Sequence, residues 1–189
     1  MSVAKQPYWC SIMTNWTCAL LFLLVLITAG FGATRAFAAS GPPAITNVRD
    51  CAQVTAVADY FFKFDPQERG DAITLGSQGV ATVTTEICAA LAGSKNSTDI
   101  RLLLDDLCAR EDATLTQFVT IVQGNGALDR LKASGANSDD MGLYPERYMG
   151  AADAAKVRAI LFEEAKIGAK ARIIGWILFS AYGVQYVPK

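Results

Sequence analysis

The chain has 189 residues, is 52% hydrophobic and carries 17 Lys and Arg against 18 Asp and Glu, with no His. The missing His excludes Ser-His and Cys-His nucleophile pairs, His-based acid–base chemistry and most zinc sites. Charge is uneven along the chain: 16 acidic against 8 basic residues from Asp50 to Ala155, then 6 basic against 2 acidic from Lys156 onward. The acidic body argues against nucleic acid, and the basic tail argues for a membrane surface or an acidic partner.

The chain opens on a targeting segment. Thr17 to Thr34 carries no charge and is dense in Leu, Ile, Val and Phe, with Lys5 before it and Arg35 after it. Ala36-Phe37-Ala38 has the small-x-small form that a signal peptidase accepts. Residues 1–38 therefore read as a cleavable signal peptide. The alternative is an uncleaved anchor over residues 16–39, which is long enough to cross a hydrocarbon core of ~30 Å. Either way the rest of the chain is expected on the periplasmic or extracytoplasmic side. Residues 39–48, with Gly41-Pro42-Pro43, read as a linker, and residues 49–189 as one helical domain.

Apolar residues at helical spacing predict a first helix from about Ile45 to Phe64. Asp65-Pro66 to Gly70-Asp71 reads as a stop. A second helix is expected from about Gly76 to Leu91, with Val80, Val83, Ile87 and Leu91 on one face, and its Thr and Val content leaves a strand as the alternative. Ser97 reads as the cap of a third helix, with Asp99 favouring its N-terminus. That helix should run to about Gln123 on a stripe of Ile100, Leu104, Leu107, Cys108, Leu115, Phe118 and Val122. Leu128 and Leu131 suit a short helical turn, and Ser134 to Met149 a long polar and aromatic loop. A last helix, about residues 151–184, should be amphipathic first and apolar later. The fold class is all-α: a small antiparallel bundle of about four helices.

Of five Cys, Cys51, Cys88 and Cys108 follow the targeting segment. Disulfides are allowed outside the cytoplasm. Cys51 lies ~20 Å above the first turn and Cys88 ~18 Å, at 1.5 Å per residue. Equal heights favour a Cys51–Cys88 bond, with Cys51–Cys108 the next choice and Cys108 otherwise a buried free thiol.

Ile173 to Val187 carries no charge and, at 15 residues, is short of the ~20 a spanning helix needs. It reads either as a core helix or as a surface for a membrane or a membrane-protein partner. The contact residues would then be Lys166, Lys170, Arg172, Trp176, Phe179, Tyr182 and Tyr186, with cations for headgroups and aromatics for the interface. Tyr144, Arg147, Tyr148 and Met149 combine the residue types enriched at binding surfaces. Asp65, Glu68 and Asp71 crowd one loop, but their spacing matches no calcium loop. Glu111 interrupts the third helix's stripe and Glu164 falls on the apolar side of the last helix, so both are candidate inward-facing carboxylates. No catalytic, cofactor-binding or metal residue is assigned. The reading is a non-enzymatic exported protein, an accessory or scaffold subunit of a membrane-associated assembly. One alternative is a soluble carrier holding a small apolar ligand or lipid among Phe61, Phe62, Phe118 and Trp176. Another is a carboxylate enzyme without His.

Overall fold

A computed structural model describes residues 41–188, apart from the side chain of Ser138, and the expected targeting segment lies outside them. Within these residues there are six α-helices, one turn of 3-10 helix and no strand. The first helix, α1, spans Cys51–Phe64. It starts later than expected because Asp50 caps it, accepting from Ala52 N at 3.0 Å. The preceding stretch is held irregular: Gln53 Oε1 accepts from the backbone N of Thr46 at 2.9 Å and of Asn47 at 3.2 Å. Ile45 and Val48 are buried, so part of the expected linker belongs to the core.

Helix α2 spans Pro66–Ala92 and corrects the reading of Asp65 to Asp71 as a stop. Asp65 does end α1, but its side chain also accepts from Gln67 N at 2.9 Å and caps the next helix. Pro66 takes the first helical position, where no backbone N–H is needed. The break falls instead at Gly76, with φ 66° and ψ 174°, which divides α2 into segments 66–75 and 77–92. A side chain at this positive φ would be strained.

Helix α3 spans Ser97–Gly124, and its cap is Asn96 rather than Ser97. Asn96 Oδ1 accepts from Asp99 N at 3.1 Å, and Asp99 Oδ2 accepts from Lys95 N at 2.7 Å. Two backbone donors at the helix start are thus satisfied reciprocally. Asn96→Ala should cost about 1 kcal/mol. A denaturant midpoint unchanged by the substitution would show that the cap carries no weight.

The expected loop from Ser134 to Met149 is largely ordered. Ala127–Ser134 forms α4, Ser138–Leu143 forms α5, and Pro145–Arg147 forms the 3-10 turn. Asn137 Oδ1 accepts from Asp140 N at 3.1 Å, and Asp139 and Asp140 occupy the first turn of α5, so the polar run is capping sequence. Helix α6 runs Ala151–Tyr182 and ends where Gly183 turns left-handed, φ 65°.

Helix α6 is the spine. Helix α3 opposes it: Val122 shares a core cluster with Val157, while Tyr186, just past the end of α6, reaches back to Asp105. The second segment of α2 runs in the same direction as α6. Gly79 lies against Phe162, and Glu86, further along, reaches Lys166 and Lys170. The reversal at Gly76 is what departs from a simple antiparallel arrangement. Apolar side chains gather in two clusters. The larger holds Ile87, Leu91, Ile100, Leu104, Ile173, Ile174, Ile177 and Leu178. The smaller holds Val122, Leu131, Met141, Tyr148, Ala154 and Val157. No helix among the described residues is long and apolar enough to cross a membrane.

Candidate functional site

Between the two clusters lies a seam of charge. On α3 the larger cluster ends at Cys108, and the smaller is joined by Phe118, Ile121 and Val122. Glu111 falls in that gap. On α6 the gap between Leu161 and Ala165 contains Glu164. Arg172, one further position of α6, reaches into the same region. Its Nε donates to Glu68 and its Nη2 to Asp71, both on the first segment of α2. Glu68 is 1% exposed, and the Arg172 side chain is 13% exposed. Three helices therefore place four carboxylates around one guanidinium.

One cation does not neutralise four desolvated carboxylates, and their proton affinities rise. Burial, a hydrogen bond that protonated Glu68 donates to Asp65 and the negative charge of Asp65 push Glu68 to about 7, against the lowering pull of Arg172. Burial and the neighbouring Glu164 push Glu111 to about 7, and Asp112 and Asp71 add to the shift. Burial also raises Asp71 and Glu164 above the usual carboxylate range. Burial alone would lower Arg172, but Glu68 and Asp71 outweigh it and hold the guanidinium charged. Oε2 of Glu111 is buried with no hydrogen-bond partner. Without any His, the chain has thus built groups that exchange protons near neutrality. Among the described residues, no group of three or more His, Cys, Asp or Glu is arranged to hold a metal ion.

The sequence candidates separate. Cys51 and Cys88 are bonded, with Cα atoms 5.1 Å apart. Cys108 is buried and disulfide-bonded, so the free-thiol expectation is corrected. Of the C-terminal set, Lys166 and Lys170 both pair with Glu86, at 2.9 and 2.8 Å. Burial opposes ionisation of Glu86, yet the two lysines outweigh it and lower its pKa. Arg172 belongs to the seam. Trp176 packs edge-on to Phe61 at 5.8 Å. Tyr186 is buried and donates to Asp105 at 2.8 Å. Burial and that carboxylate raise its pKa. Phe179 and Tyr182 remain exposed, at 54% and 41%.

The loop candidates divide too. Arg147 stacks on Tyr144 at 4.1 Å and pairs with Asp140 at 3.2 Å, both on the surface side. Tyr148 and Met149 are buried in the smaller cluster, and Tyr148 donates to Asp140. The four side chains named for an apolar ligand do not share a cavity wall: Phe61, Phe62 and Trp176 pack in the larger cluster and Phe118 against the smaller.

No family model, curated protein or solved structure matches the chain.

Sequence reasoning found two members of the seam, Glu111 and Glu164, because each breaks an apolar stripe. It placed Glu68 and Asp71 in a loop and counted Arg172 as a surface cation. The missed signal is on α6 itself. Arg172 sits between Ile167 and Ile173 on a stretch buried nearly all round, so its charge required an acidic partner from another helix.

Proposed function

We propose that the chain is an exported, non-enzymatic helical protein, an accessory or scaffold subunit working at the outer face of a membrane. The observation that carries this reading is the Cys51–Cys88 disulfide behind an apolar leading segment. Such bonds persist in oxidising compartments outside the cytoplasm. The surface that supports membrane or partner contact is narrower than the sequence suggested. The cations Lys166, Lys170 and Arg172 are occupied by Glu86, Glu68 and Asp71, which leaves the aromatic last turn, Phe179 and Tyr182, for contact. Deleting residues 173–189 would not separate attachment from folding, because Ile173, Ile174, Ile177 and Leu178 are core.

Fractionation of cells expressing the full chain, with an alkaline carbonate wash and N-terminal sequencing, tests the proposal. Recovery with membranes, in disulfide-bonded form, is expected. Phe179→Ser with Tyr182→Ser should leave stability within about 0.5 kcal/mol, as for other surface changes, while lowering membrane recovery. A cytoplasmic chain with Met1 intact and Cys51 and Cys88 reduced would end the reading.

A further inference from the structure

Segment 66–75 is fastened to the bundle by charge and by a short apolar contact through Ala72 and Leu75. Its buried residues are Glu68 and Leu75, while Ile73 is 85% exposed. Most helices here bury a stripe of apolar side chains, but this one grips α6 through Glu68 and Asp71 on Arg172. At its end is Gly76, in a left-handed conformation with no atom within 4 Å of where a Cβ would stand. That residue has the freedom and the space of a hinge.

The charges that act on this attachment come from three helices. The first segment of α2 and its cap contribute Asp65, Glu68 and Asp71. Helix α3 contributes Glu111 and Asp112, and α6 contributes Glu164 and Arg172. With every carboxylate ionised, Arg172 is far outnumbered in a poorly solvated seam, and repulsion among Glu111, Glu164 and Asp71 opposes docking. A proton held by the seam removes part of that repulsion.

We propose that segment 66–75 is a proton-controlled flap, docked on α6 while the charged seam retains a proton and released about Gly76 when the proton is lost. The sign follows from linkage. Glu68, which docking itself buries, ionises at about 7 when docked, above the ordinary value of 4.5. Docking is therefore strongest below that ordinary value and weakens as pH rises through about 7. Lys166, Lys170 and Glu86 hold the second segment of α2 to α6 independently of the seam, so release stops at the hinge.

Hydrogen exchange of the full chain in a mild detergent, followed by mass spectrometry, tests this. Rates are corrected for the intrinsic effect of pH. Between about pH 5.5 and about pH 8 the amides of 66–75 should lose protection by on the order of tenfold or more, one unit of pKa being worth a factor of ten. The amides of 77–92 should stay protected. Glu111→Gln should keep the segment protected at the higher pH. Should that variant fail to fold, Glu164→Gln makes the same test. Protection of 66–75 that ignores pH, or a loss shared equally by α3, would overturn the proposal.

Discussion

Arg172→Met should destabilise the protein by about 3–5 kcal/mol at neutral pH, the cost typical of removing one partner from a buried ion pair. Methionine fills much of the volume, so the loss is electrostatic in origin. Glu68, at 1% exposure, and Asp71 would be left in the seam without their counter-charge. Both would answer by holding protons more tightly, so the loss should shrink toward pH 4.5. Urea unfolding at the two pH values measures this. Lys166→Met is the control: its pair with Glu86 is partly solvated, with side chains 20% and 36% exposed, and should be worth no more than about 1 kcal/mol. An Arg172→Met loss no larger than the control's would mean that the seam contributes nothing to the fold.

The paired substitution Cys51→Ala and Cys88→Ala should cost about 4 kcal/mol. The bond closes a loop with a sequence separation of 37, and chain-entropy arguments give about that value for a loop of this length. Cys88 is largely buried and alanine is close in size, so packing adds little. Denaturant unfolding of oxidised protein, reduced protein and the double variant separates the bond from the side chains. Reduction also opens the bond at Cys108, so reduced protein should agree with the double variant only when that variant is reduced too. If oxidised protein unfolds with them, the bond is not formed in solution.

Much of the helical framework was legible because it rests on local physics. The stripe from Ile100 to Cys108 belongs to a single helix, and neighbouring residues suffice to see it. The Cys51–Cys88 pairing came from equal heights on two helices, and survived even though the intervening stop proved to be a helical segment. Two kinds of feature stayed hidden. Pro66 has opposite meanings at the end and at the start of a helix, and the Asp65 side chain decides between them by capping forward. Arg172 and Glu68 lie 104 residues apart, and no spacing rule brings such a pair together. Only the reversal at Gly76 carries the first segment of α2 back along α6.

The two apolar clusters also differ in how the chain reaches them. Residues of the smaller one, from Phe118 to Leu161, follow one another along a continuous stretch. The larger joins Ile45 and Val54 to Ile177 and Tyr186 across nearly the whole domain. Closing a long loop costs more entropy than closing short ones, and distant contacts slow folding. The smaller cluster is thus the natural place for folding to begin, with the first half of α6 already formed there. Growth of that helix through Arg172 toward Tyr182 then offers a ready surface on which α1 and α2 assemble.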